Sequence, residues 1–126
     1  MKRMLAALSA LLALIILVSA CSGGASDSAG FKGGPGMLYF YSPKCPVCQG
    51  MKPVMDDLEE TYGNDFKFVR VNVDTEGGKE RARANGLIGQ PAYLIFDRSD
   101  EEVRRLMGAQ SRDRLEEAIE QALPGE

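Results

Sequence analysis

The chain has 126 residues, 44% hydrophobic and 26% charged, enough for one folded domain with its own core. Its formal net charge is −3, and about −5 once Lys2 and Arg3 leave with the leader described below, which excludes nucleic acid, a partner that calls for a basic surface. It contains no histidine, which excludes Ser-His-Asp and Cys-His catalysis and removes the commonest ligand of transition metals.

Lys2 and Arg3 precede an apolar run from Met4 to Val18. A basic tip, a short apolar core and then small residues describe an export signal. The run is about 15 residues, short of the roughly 20 that a permanent membrane-spanning helix needs. It ends Leu17-Val18-Ser19-Ala20-Cys21, which resembles the lipobox of bacterial lipoproteins. The resemblance implies a signal peptide over residues 1–20, cleavage after Ala20 and lipidation of Cys21 as the first mature residue. It implies an extracytoplasmic protein, lipid-anchored to a bacterial membrane on the periplasmic side or at the cell surface. An ordinary signal peptide with an incidental cysteine is the competing reading. Ser22 to Gly36 then reads SGGASDSAGFKGGPG. Gly, Ser and Ala dominate without periodicity, so residues 21–36 are expected to form a flexible tether reaching roughly 20 Å.

The domain is expected over residues 37–126. Met37 to Tyr41 is a short apolar run, the pattern of a strand covered on both faces. From Cys45 to about Tyr62, Met51, Val54, Met55, Leu58 and Tyr62 recur at helical spacing, with Asp56, Asp57, Glu59 and Glu60 opposite. Pro53 falls inside this helix and is expected to kink it, and Gly63-Asn64 ends it. Phe66 to Val73 is a second strand, with Val69, Val71 and Val73 alternating. Asp74 to Asn85 is helix-prone and Gly86 suits its C-terminal cap. Ala92 to Phe96 is a buried strand, Asp97 to Asp100 a turn and Glu102 to Met107 the returning strand. Ser111 caps a last helix with Leu115, Ala118, Ile119 and Ala122 on one face, although Arg114 stands where a capping-box Glu would. The order is β-α-β-α-β-β-α in an α/β fold. The first two strands are expected to be parallel, because a helix joins them, and the last two antiparallel, because a short turn does.

Cys45-Pro46-Val47-Cys48 opens the first helix. Thiol–disulfide exchange needs one thiolate to attack and a second thiol to resolve the mixed disulfide. At a helix N-terminus, unpaired amides and the helix dipole favour a negative sulfur at Cys45, while Cys48 lies one turn deeper. Lys44 adds a neighbouring positive charge, and Pro46 fits a first turn that needs no N–H. Lys44, Pro46 and Val47 are therefore candidates for tuning the thiol, and a pKa near 7 would leave about half of Cys45 ionised at neutral pH. Three other uses of the pair compete. A zinc site lacks two ligands in the domain. A structural disulfide would close too small a loop to stabilise much. The third is an idle pair in a binding domain.

From about Met37 to Leu123 the chain resembles the thioredoxin family. The resemblance rests on Cys45-Pro-Val-Cys48, on Pro53 in the helix that follows, and on Val71-Asn-Val-Asp74. It extends to Gly86-Leu-Ile-Gly-Gln-Pro-Ala92 and to Gly108-Ala-Gln-Ser111 with Leu115. It implies a minimal thioredoxin-like fold, a mixed sheet flanked by helices, with Pro91 cis beside the cysteines. It implies that the backbone of Gln90 pairs with an extended substrate. The usual Trp-Cys-Gly-Pro-Cys is here Lys44-Cys-Pro-Val-Cys48. Tyr39 stands where the family places a buried acid, and Arg70 near a family lysine.

The expected function is disulfide exchange with exported protein thiols, with Cys45 attacking, Cys48 resolving, and Gln90 and Pro91 placing the substrate. Reduction or isomerisation is favoured over oxidation. The expected partners are protein thiols and disulfides, a membrane or soluble redox partner, and the membrane through the lipid anchor. No cofactor or metal is expected, and the protein is expected to be a monomer. The alternative is a tethered, non-enzymatic binding module or copper chaperone that holds a soft metal with the cysteine pair.

Overall fold

A computed structural model describes residues 31–124. The expected signal peptide, Cys21 and the tether as far as residue 30 lie outside the described residues. Seven elements follow in order: β1 (Gly36–Tyr41), α1 (Pro46–Tyr62), β2 (Lys67–Asn72), α2 (Glu76–Ala84), β3 (Ala92–Phe96), β4 (Glu102–Met107) and α3 (Arg112–Ala122). This is the β-α-β-α-β-β-α order and α/β class expected from the sequence.

The sheet runs β2-β1-β3-β4, with β1 parallel to β2 and antiparallel to β3, and β3 antiparallel to β4. The two inner strands carry the apolar runs because both of their faces are covered. Side chains alternate across a strand, so Met37, Tyr39, Tyr93 and Ile95 fall on one face, packed with Met51, Met55 and Leu58 of α1 and Leu115 and Ile119 of α3. Leu38, Phe40, Leu94 and Phe96 fall on the other, with Val71 and with Ala82 of α2.

Each helix end has an identifiable stop or start. Thr75 Oγ accepts the Gly78 N–H at 3.0 Å and caps α2. At the far end Gly86 takes φ +68°, its N–H donates to Arg83 O and the Leu87 N–H donates to Ala82 O, each at 2.9 Å. This paired closure needs a left-handed residue, which glycine adopts without a side-chain clash. Ser111 Oγ accepts the Arg114 N–H at 3.2 Å and starts α3. Leu115 and Ile119, fully buried, contribute on the order of 1.5–3 kcal/mol each by leaving water. α2 lies directly on the end of β2. A Cβ at Gly78 would stand 1.8 Å from the Asn72 carbonyl oxygen.

The domain begins earlier than the glycine-rich composition suggests. Phe31 is buried and stacks on Phe96 with ring centroids 5.0 Å apart. Lys67 Nζ sits 5.6 Å from the same ring centre. The Gly34 N–H donates to Asp100 Oδ1 at 2.9 Å, and Pro35 O accepts the Lys67 N–H at 3.0 Å. Residues 31–36, expected to be tether, therefore pack on the domain. One aromatic among glycines has no period to detect, and its partner Phe96 is reached only through the fold. This contact lies at the start of β1, at the opposite end of that strand from the cysteines.

Candidate active site

β1 ends at Tyr41, and four residues later Cys45 caps α1. The connection is tight: Ser42 O accepts the Cys45 N–H at 3.1 Å. Cys45 is in an extended conformation, with φ −85° and ψ 116°, and its sulfur accepts the Cys48 N–H at 3.3 Å. A thiol thus takes the N-cap place more often held by a hydroxyl or carboxylate. Cys48, one turn on, is 4% exposed.

The two sulfurs are electrostatically unequal. Cys45 is held below the ordinary thiol range, first by the Cys48 thiol donating to it, then by the amide of Cys48, against a small burial cost, and by the amide of Val47. Cys48 is pushed up to about 11, chiefly by burial and then by its donation to Cys45, while the Ser42 amide pulls it back. Cys45 is thereby the more easily ionised sulfur, and Cys48 stays protonated at neutral pH. That is the division of labour disulfide exchange requires.

The other sequence-derived site residues take distinct places. Lys44 is exposed, and its N–H donates to Ser42 Oγ at 3.1 Å. Pro46 occupies the first helical position, and Val47 is exposed beside the pair. The Gln90–Pro91 bond is cis, Pro91 is buried and Gln90 exposed. Ala92 pairs with Phe40, which sets Pro91 at the end of the sheet from which the cysteine loop leaves. Pro91 O accepts the Gly108 N–H at 2.8 Å, tying it to the end of β4. Cys21 lies outside the described residues.

A cavity of about 290 Å³ opens beside Cys48, lined by Tyr39, Tyr41, Ser42, Gln49, Lys52 and Arg70 among others. Tyr39 is raised to about 12 by burial first and then by Cys48. It pairs across the sheet with Arg70, whose guanidinium binds Asp56 Oδ1 at 2.7 Å and Glu59 Oε2 at 2.9 Å. At neutral pH, Tyr39 therefore presents a neutral hydroxyl on the wall of the Cys48 cavity, where a carboxylate would present a base.

Sequence reading missed three residues here. Ser42, between strand and helix, carries no sequence signal of a role. Asp74 was noticed within Val71-Asn-Val-Asp74 without a role, yet its Oδ2 accepts from Ser42 Oγ at 3.0 Å. Tyr93 was read as one more apolar strand residue. Its ring stacks on Tyr39 at 5.2 Å, and its hydroxyl is buried without a partner. The Ser-Asp pairing depends on two strand ends meeting, which no local pattern announces.

The family model described as Thioredoxin matches residues 32–121. The chain belongs to the thioredoxin family. Thioredoxin M4, chloroplastic, of Arabidopsis thaliana is 30% identical over 89 residues, 71% of this chain and 45% of that protein. Thioredoxin of Porphyra purpurea is 31% identical over 85 residues, 68% of this chain and 77% of that protein. Among solved structures, MTB dsbF in its mixed oxidized and reduced forms superposes with a TM-score of 0.64 at 23% identity. The match covers 71% of this chain and 81% of that one, and it speaks for the fold. The chain spans less than half the length of the chloroplastic relative.

Proposed function

We propose that this thioredoxin-family chain is a thiol–disulfide oxidoreductase, lipid-anchored through Cys21 outside the cytoplasm, acting on exported protein thiols. The observation that carries the reading is the placement of the two sulfurs at the head of α1: Cys45 at the N-cap, accepting the Cys48 N–H, and Cys48 buried one turn deeper. In the reducing direction, the Cys45 thiolate attacks a substrate disulfide. One substrate sulfur leaves as a thiolate and takes a proton. Cys48 then loses its proton to solvent and attacks Cys45 Sγ, the Cys45–substrate bond breaks, and the second substrate thiolate is released and protonated. The dithiol gives up two electrons and the substrate disulfide receives them. Gln90, exposed before the cis Pro91, offers backbone groups to an extended substrate. Val47 and the 97% exposed Ile88 offer apolar surface to a protein substrate.

Reduction or isomerisation is the proposed direction, supported by the thioredoxin relatives and tested by the reduction potential of the full-length chain. A value near about −270 mV supports a reductant, and one near about −120 mV an oxidant. Cys45→Ser is expected to abolish exchange with a disulfide-bonded protein, and Cys48→Ser to trap the mixed disulfide. Exchange that survives Cys45→Ser defeats the assignment. Lipid labelling in a bacterial host tests the anchor. Label that persists in Cys21→Ser removes the lipoprotein reading.

A further inference from the structure

The Ser42 side chain is buried, at 4% exposure. A connection between a strand and a helix does not need a hydroxyl, and a buried one without partners is destabilising. Here the hydroxyl and the carbonyl of Ser42 are both engaged. Its Oγ donates to Asp74 Oδ2 at 3.0 Å and accepts the Lys44 N–H at 3.1 Å. Its carbonyl accepts the Cys45 N–H at 3.1 Å. Its amide favours the negative form of the Cys48 sulfur. The residue therefore bonds directly to Cys45 and lines the same cavity as Cys48.

Asp74 is itself held. Its N–H donates to Asn72 Oδ1 at 2.9 Å, and the next residue, Thr75, caps α2. α2 in turn rests on the end of β2 through the close approach at Gly78. A rigid corner of the fold thus reaches the cysteine loop through a single side-chain hydrogen bond.

The chemistry needs such a brace at one step. Resolution requires Cys48 to become anionic in a buried place. Dipoles aimed in advance at a developing charge need no reorganisation when it forms. We propose that the Asp74–Ser42 hydrogen bond is a positioning clamp that holds the Ser42 loop against the cavity it shares with Cys48 and keeps the Ser42 carbonyl on the Cys45 N–H, and so speeds resolution of the mixed disulfide. The proposal rests on the disulfide-exchange reading and adds Ser42 and Asp74 to it as positioning residues.

The test uses the full-length chain, Ser42→Ala, Ser42→Thr, Asp74→Ala and the Ser42→Ala/Asp74→Ala double variant. A dye-labelled, disulfide-bonded peptide is mixed in a single turnover, and the mixed disulfide is followed by acid quench. Ser42→Ala is expected to slow resolution about tenfold, the worth of one well-made hydrogen bond. The first attack by Cys45 should change less than about twofold. Ser42→Thr, which keeps the hydroxyl, should restore most of the rate. Asp74→Ala should slow resolution similarly, and the double variant should be no slower than either single one, as expected of one shared contact. Losing the Asp74 charge alone would ease ionisation of Cys48 and quicken the step, so slowing carries the sign of a lost clamp. Resolution within about twofold of wild type in both single variants, or effects that add, overturns the proposal. If wild type exchanges no disulfide with the peptide, the enzymatic reading fails, and the clamp is judged separately from the thiol titration at 240 nm. There Ser42→Ala should move the upper step further up, and an unmoved step overturns the clamp. Asp74→Ala alters an exposed side chain and keeps the test open should Ser42→Ala fail to fold.

Discussion

The Tyr93 hydroxyl is fully buried and has no hydrogen-bond partner. A buried donor left unpaired costs about 1–3 kcal/mol of desolvation that nothing returns. Tyr93→Phe removes that group and keeps the ring that stacks on Tyr39. The oxygen leaves a void on the order of 10 Å³, worth about 0.2 kcal/mol against the variant at the usual cavity coefficient. The balance is a gain of about 1–3 kcal/mol. For a domain of about 90 residues, this corresponds to a rise of roughly 5–15 °C in Tm. The assay is thermal and urea unfolding of the reduced chain at neutral pH, with Tyr39→Phe as the comparison. Tyr39 lines the cavity beside Cys48, where its hydroxyl can be solvated, so its removal should be close to neutral. A Tm lowered by about 3 °C or more in Tyr93→Phe, with an unchanged m-value, refutes the reasoning, because the hydroxyl must then have a partner in solution.

The thiols should titrate in two well-separated steps. Alkylation at neutral pH should take Cys45 first, and equal rates at the two sulfurs would count against Cys45 as nucleophile. Burial favours the neutral Cys48 thiol, so its contribution to stability is complete below the ordinary thiol value of 9.0 and is lost as pH rises through about 11. Cys48→Ala should lack that slope in urea titrations of the reduced protein, and an identical slope in the two would contradict the assignment. Cys45 has the opposite sense: its lowered value contributes stability above the ordinary thiol pKa that fades as pH falls through the folded one. At the other end of β1, Phe31→Ala should cost about 3 kcal/mol, the low end for an aromatic truncated in a core. A chain beginning at Met37 should be destabilised at least as much. Unchanged stability in both would return residues 31–36 to the tether.

Local patterning determined most of the elements. Ala92–Phe96 and Glu102–Met107 sit where apolar runs and turn residues put them, and Leu115, Ala118, Ile119 and Ala122 face the core as their spacing requires. The cysteine pair was equally legible, because its chemistry follows from two residues three apart at a helix start. Element ends moved where side chains competed with backbone. Asp74 was expected in the second helix, but its N–H bonds to Asn72 Oδ1 and the helix starts only after Thr75.

What tertiary structure alone decided was which distant residues meet. Phe31 joins the core because β3 ends in Phe96 beside it. Tyr93 becomes a buried, unpaired hydroxyl because β3 lies against β1, with Tyr39 directly across. Asp74 reaches Ser42 because the parallel pairing of β1 and β2 brings both strands to an end on the same side. The sequence could name two sulfurs and order them by helix position. Their inequality also depends on how deeply α1 sinks Cys48 against the sheet and on its hydrogen bonding with Cys45. Burial and long-range hydrogen bonding are properties of the packed chain and leave no period in the sequence.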